Sequence, residues 1–325
     1  MTAGTDAAAA IGASPAPDRG GPTRRTPPRA RMRWSMVAMS SPPALLVLVF
    51  VGIPIVIGVA YTIGYTGGLN SIATSLSVAV HSAHNGVPTW AAYRSVLASA
   101  RFKSDLVVTV WVTVLTVAIT LVLAWAIALY ARLSGGFFSR LLAGVAIVPL
   151  FIPVVIGAYA IRNFYLNTGF IVSVGRQLGV QLPQWSYHTS GIVIGQVWVS
   201  LPFAVLLISS GLAGVPNGLI DAARDSGASL ARAVWSVMLP MTTIPTVIVA
   251  TFTGVGVMGS FTVPYLIGPT APNMLGVTLQ TTYASYQRPQ DAQVMAVVLF
   301  VLAGGIGALY VWANARAARS SAVLE

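Results

Sequence analysis

Apolar runs of roughly twenty residues recur along this chain, divided by short polar breaks. A bilayer core takes about 20 apolar residues per helix. On that rule the sequence predicts six spans, at about 43–65, 106–130, 141–161, 190–213, 241–265 and 293–314. Several hold prolines: Pro54, Pro149, Pro153, Pro202, Pro245 and Pro264. In a helical bundle such kinks are tolerated, because neighbouring groups satisfy the carbonyls that proline frees. The expected fold is therefore all-α, a polytopic membrane protein with six transmembrane helices. Residues 1 to about 35 lack apolar periodicity and are rich in Ala, Gly, Pro and Arg, which predicts a disordered basic tail. A basic start before an apolar run resembles a signal peptide. The first run is too long for a signal core, so an uncleaved helix is expected.

Composition sharpens the class. Of 325 residues, 56% are hydrophobic and 8% charged. A soluble domain carries about 25% charged residues, so this chain cannot cover a globular surface. The net charge is +11, from 18 Lys+Arg against 7 Asp+Glu. Because the arginines sit in the tail and between spans, orientation in a membrane explains them better than nucleic-acid binding does. There is no cysteine, which removes disulfides, thiolate chemistry and cysteine metal sites.

Orientation follows from the loops. With the N-terminus inside, the inner segments hold Arg19, Arg24, Arg25, Arg29, Arg31, Arg33, Arg132, Arg140, Arg224, Arg232, Arg316 and Arg319. The outer loops hold Arg94, Arg101, Lys103, Arg162, Arg176 and Arg288. The positive-inside rule then predicts both termini on the cytoplasmic side of the membrane.

One polar island stands out between the fourth and fifth runs: Asp221-Ala222-Ala223-Arg224-Asp225-Ser226-Gly227, with Val237-Met238-Leu239-Pro240 nine residues further on. Asn217 is suited to cap a helix start. Asp221 and Arg224 are spaced to pair on one helix face. Gly227 suits the left-handed position that ends a helix. Ser229 can cap a second helix, and Pro240 is placed to open the next span. Two short helices joined by a sharp turn are expected.

The spacing of Asp221, Ala222, Ala223, Gly227, Val237, Leu239 and Pro240 resembles the EAA signature of membrane permease subunits of binding-protein-dependent ABC importers. Asp221 stands where the family usually has Glu, and Val237 where it usually has Ile. The resemblance runs over roughly 105–316 and implies a five-helix transport core of the type I fold. Residues 36–104 then add a first helix and outer loop, and 317–325 a cytoplasmic C-terminal tail. It implies that the island is a cytoplasmic coupling helix, with Asp221, Ala222, Ala223, Arg224, Gly227, Leu239 and Pro240 docking on separate ATPase subunits. It further implies a second permease subunit, identical or paralogous, and an extracytoplasmic solute-binding protein. The stretch Gly259-Ser260-Phe261-Thr262-Val263-Pro264-Tyr265-Leu266-Ile267-Gly268 is similar to spermidine/putrescine-type permeases, and the iron(III) and thiamine permeases look similar there. Sugar permeases usually show a Trp-Asn pair in this region, which this chain lacks. The substrate implied is a small solute, with a polyamine-like organic cation foremost.

Other residues carry weaker signals. Gln196, Ser200, Thr251, Thr253 and Ser260 are polar within spans. Gln196, Ser200, Thr253 and Ser260 are the candidates for a substrate path, with hydrogen bonding between helices as the plainer use. Asp105 and Asp291 sit at expected span starts, where a carboxylate is favoured by the helix dipole. His81, His84 and His188 do not form a metal site, and no cofactor is expected. Tyr159, Phe164, Tyr165 and Trp198 suit an interfacial aromatic belt more than a cation cage. No span centre holds an ionisable residue, which argues against an ion-coupled secondary transporter or channel. A membrane enzyme would need a nucleophile–base pair or metal cluster. None is visible, nor is a phosphate-cradling Gly-rich loop.

Overall fold

The computed structural model describes residues 41–84 and 86–321. The basic tail expected over 1–35 lies outside the described residues. Apart from an isolated bridge between His84 and Val87, the described residues are helices and turns. The chain divides into two units, Met1–Pro54 and Ile55–Glu325. The first contributes the opening turns of α1 (Ser41–Thr62), with a π-helical turn at Leu48–Gly52.

The second unit holds the bundle. After α1 come α2 (Ala91–Ala98), α3 (Ala100–Ser134), α4 (Phe137–Ile147), α5 (Val154–Phe164), α6 (Phe170–Gln177) and α7 (Thr189–Ala213). Then follow α8 (Asn217–Asp225), α9 (Leu230–Met241), α10 (Thr243–Met258), α11 (Thr262–Ile267), α12 (Leu275–Ala284) and α13 (Pro289–Ser321). Helix α13 runs to Ser321, into the segment read as a C-terminal tail.

Among the described residues four helices are long and apolar enough to cross a bilayer unbroken: Ser41–Thr62, Ala100–Ser134, Thr189–Ala213 and Pro289–Trp312. The other two expected spans are bent pairs. Phe137–Phe151 and Val154–Phe164 meet at 113°, and Leu230–Met241 and Thr243–Met258 at 69°. The first break has a local cause. Ile152 precedes Pro153, whose ring disfavours helical geometry at its predecessor, and Ile152 is extended at φ −103°, ψ 123°. At the second, Pro245 cannot donate to the carbonyl of Met241 and clashes with it, so the helix breaks at Thr242. Hydroxyls take up carbonyls near the bend: Thr242 Oγ1 donates to Met238 O at 2.7 Å and Thr243 Oγ1 to Pro240 O at 2.8 Å.

Three corrections to the expected spans matter. Helix α9 already runs through Pro240, with a π turn at Val234–Met238, so Pro240 sits inside a helix and does not open one. The fifth run ends at Met258, and the residues after Ser260 form the separate α11. The second span begins at Ala100, capped by Ser99, whose Oγ accepts from Phe102 N–H. Asp105 therefore lies inside α3 and is fully buried, where a span-end carboxylate was expected.

That carboxylate is a tie point. Oδ1 accepts from Asn273 N–H at 2.9 Å, and Oδ2 from the Thr278 hydroxyl at 2.6 Å. Arg101 Nε lies 3.5 Å from Oδ2. One turn on, Thr109 Oγ1 accepts from Leu275 N–H at 2.8 Å. Together they satisfy free N–H groups at the start of α12, which a helix cannot satisfy internally. Gln290 ties α13 similarly, accepting from His81 N–H and donating to Tyr61 O and His81 O. The apolar core follows the contact of α3, α7 and α10. Ala124, Ala128, Ala204, Val205, Ile208 and Val249 are nearly sealed from solvent. Small residues here let the helices approach closely, which is how helices associate without a hydrophobic drive between them.

Candidate functional site

Two features of the bundle carry chemistry: a helical knob at one end and a polar cleft between helices.

The knob comprises α8 and the start of α9. Its turn is a Schellman motif. Ala228 N–H donates to Ala223 O at 3.1 Å and Gly227 N–H to Arg224 O at 2.9 Å, the paired bonds that close such a helix end. Gly227 takes φ +83°, a conformation that costs other residues. Ser229 caps the second helix, its Oγ accepting from Arg232 N–H at 3.3 Å. Asn217 does not cap. Pro216 stands at the cap position, and Asn217 Oδ1 instead accepts from Arg132. Asp221 and Arg224 do not pair either. The ion pairs among the described residues are Arg101–Asp105 and Arg288–Asp291. Asp221, Ala222, Arg224, Gly227 and Pro240 are exposed, while Ala223 and Leu239 are half-buried. Ile220, Ala233 and Met238 anchor the knob from beneath, and Trp235 projects outward at 72% exposure. The result is a helical projection whose charges form no ion pair among the described residues.

The cleft has a volume of about 490 Å³ and lies between α7, α10 and α11, with Val154 of α5 at its edge. Gln196, Ser200, Thr253 and Ser260 all line it, so four polar residues spread over the sequence share one wall. Gln196 and Thr253 are buried, at 3% and 5% exposure. Gln196 Nε2 and Thr253 Oγ1 have no hydrogen-bond partner among the described residues. Such atoms are expensive to leave unpaired in a dry interior. Thr251 points elsewhere, its hydroxyl returned to Val247 O at 2.9 Å. Three aromatic wall residues, Phe203, Phe252 and Phe261, were not anticipated. Helical spacing carried the signal. Residues 196, 200 and 203 fall on one face of α7 and 253 and 256 on one face of α10, while Ser260 lies just past the end of α10.

The remaining candidates take structural places. Asp291 lies in the first turn of α13 and pairs with Arg288 at 3.4 Å. The Tyr159 ring is covered by the chain's own Arg162, 5.3 Å from its centroid, with Tyr187 at 5.7 Å. Trp198 packs on Gly157, and Phe164 packs on Tyr165 and Phe170. Among the described residues no group of three His, Cys, Asp or Glu could hold a metal.

Spans of this number, bent around a polar cleft, with a helical knob between two of them, define a multi-pass helical membrane transport subunit. The chain belongs to the family described as "Binding-protein-dependent transport system inner membrane component", which matches residues 121–319. It is similar to the trehalose transport system permease protein SugA of Mycobacterium tuberculosis, 30% identical over 223 residues, covering 68% of this chain and 67% of that one. It is also similar to the spermidine/putrescine transport system permease protein PotB of Escherichia coli, 25% identical over 187 residues, covering 57% of this chain and 68% of that one. A chain from the crystal structure of a bacterial ABC transporter involved in the import of the acidic polysaccharide alginate shares the fold. Its TM-score is 0.66 at 14% identity, over 90% of this chain and 97% of that one. Family membership sets aside the self-contained carrier or channel.

Proposed function

We propose that this chain forms half of the translocation path of an ABC importer and carries, in residues 217–236, the segment on which a separate ATPase subunit docks. The transport core is 105–316, and a second permease subunit completes the path. A solute-binding protein delivers substrate at the outer face, and both termini lie in the cytoplasm. ATP hydrolysis belongs to the partner subunit. Closure of two such ATPase subunits draws the coupling helices together and turns the cleft from one side of the membrane to the other. The observation that carries this reading is the exposed charge of Asp221, Arg224, Asp225 and Arg232, unpaired among the described residues, on a knob whose turn is closed by paired backbone hydrogen bonds. A rigid charged projection suits a partner's socket.

The cleft favours a neutral, hydroxyl-rich solute of the sugar class. Its polar groups are an amide and hydroxyls, its walls hold three phenylalanines, and no charged residue lines it. Amides and hydroxyls bind sugar hydroxyls by donating and accepting at once. The similarity to a trehalose permease supports the same class. A polyamine is the second reading, supported by the Gly259–Gly268 stretch and the likeness to a spermidine/putrescine permease. It would bring several positive charges into a cleft without a carboxylate, which is costly in a low-dielectric site. Iron(III) meets the same objection, and thiamine meets it with the single charge of its thiazolium ring.

The test is purification from the native membrane with mass spectrometry of what is retained, for wild type and for Asp221→Ala with Gly227→Val. Retention of an ATPase and a second permease by wild type, and loss by the variant, is expected. A wild-type chain that purifies alone would overturn the reading. Uptake of labelled disaccharide against labelled spermidine by the reconstituted complex then decides the substrate class.

A further inference from the structure

We propose that Arg132 is the positioning residue that makes the coupling segment move with the cleft. The inference rests on the reading of residues 217–236 as the ATPase-docking segment. Arg132 lies in the last turn of α3. Its Nε donates to Leu212 O at 3.3 Å, and one terminal nitrogen donates to Val215 O at 3.2 Å and to Asn217 Oδ1. Leu212 is in the last turn of α7, Val215 lies in the link, and Asn217 is the first residue of α8. One guanidinium therefore joins the ends of three helices.

The chemistry suits the place. The last carbonyls of a helix lack partners within it, and the C-terminal end of a helix favours a cation. A planar fork of N–H groups can hold several acceptors in fixed directions, which a flexible ammonium does less well. The other anchors of α8 are apolar: Ile220 packs with Val215, Leu212 and Met238. Apolar packing is non-directional and lets a short helix swivel. Arg132 supplies the direction. Helix α7 carries Gln196 and Ser200 in the cleft, about 24 Å and about 18 Å from Leu212 at 1.5 Å per residue. A tilt of α7 that opens or closes the cleft moves Leu212 O, and the guanidinium held there carries Asn217 with it. Force from the docked ATPase travels the same way in reverse.

A plain C-terminal cap for α7 would use the same contacts with Leu212 and Val215, so the test must separate holding from coupling. In the reconstituted complex, Arg132→Lys keeps the charge but loses the fork. It should retain the ATPase and the thermal midpoint of the wild type while solute taken up per ATP hydrolysed falls about tenfold, the scale of one charge-assisted hydrogen bond. Asn217→Ala should act in the same direction, and the double variant should be no worse than Arg132→Lys alone, because both remove one link. Wild-type uptake per ATP in Arg132→Lys would overturn the proposal. So would a midpoint that falls in step with uptake in Arg132→Ala while Arg132→Lys stays normal, since that is the behaviour of a cap alone.

A second measurement needs no ATPase. The chain has no cysteine, so spin labels on Ser134→Cys and Ala223→Cys report one distance. That distance should be narrowly distributed in the parent and broad with Arg132→Lys. An unchanged distribution would sink the strap, whereas a wild-type chain that retains no ATPase would sink only the docking reading.

Discussion

The carboxylate of Asp105 accepts the backbone N–H of Asn273 at 2.9 Å, joining α3 to the start of α12 across 168 residues of chain. Both residues are buried. Asp105→Ala would leave Asn273 N–H and the Thr278 hydroxyl without their acceptor, at a cost of about 2–3 kcal/mol for groups hydrogen-bonded to a charge. Asp105→Asn keeps one acceptor oxygen and should cost less. Thermal unfolding of the purified protein in detergent should rank wild type above Asp105→Asn above Asp105→Ala. Equal midpoints would show that this tie contributes nothing.

Gln196 and Thr253 make the opposite case. Gln196 Nε2 and Thr253 Oγ1 have no partner among the described residues, so the fold gains no hydrogen bond from them. Thr253→Val and Gln196→Met should leave the thermal midpoint unchanged or raise it, by up to about 1 kcal/mol of relieved desolvation. Uptake should fall if these atoms bind solute. A loss of stability with unaltered uptake would make them structural and remove them from the path.

Gly227 separates shape from space. A side chain there would meet no atom within 4 Å, but φ is +83°. Gly227→Val should therefore strain the turn by about 1–2 kcal/mol and reduce ATPase retention, whereas Gly227→Asn, tolerant of left-handed geometry, should keep most of it. Quantitative co-purification distinguishes the two. Equal loss with both variants would mean that the bare surface of glycine is what the partner needs.

Gly157 is the reverse, a position limited by space. A Cβ there would collide with the Trp198 ring, which holds α5 against α7. Gly157→Ala should cost about 1–3 kcal/mol of overpacking, and adding Trp198→Leu should recover part of it. Midpoints that add independently would show that the two residues do not share a contact.

How far the sequence reached depended on the range of the interaction concerned. The all-helical class, the left-handed turn at Gly227 and the Ser229 cap were legible, because each is decided by residues within one or two turns of each other, whereas of the six expected spans four are unbroken helices and two are bent pairs. Proline chemistry is equally local, yet only the three-dimensional structure shows that Pro153 and Pro245 break their spans, since prolines such as Pro202 are carried within a helix. Sequence by itself suggested Asn217 as a cap and Asp221–Arg224 as a pair; packing chose Arg132 for Asn217 and left Asp221 without an ion pair among the described residues. Tertiary structure alone decided the burial of Asp105, the convergence of Gln196, Ser200, Thr253 and Ser260 on one cleft, and the three-way grip of Arg132. The physical reason is the same in each case. Hydrophobic period and capping act within a few residues and are written in spacing, whereas a hydrogen bond across 80 to 170 residues exists only once helix packing has fixed which faces meet.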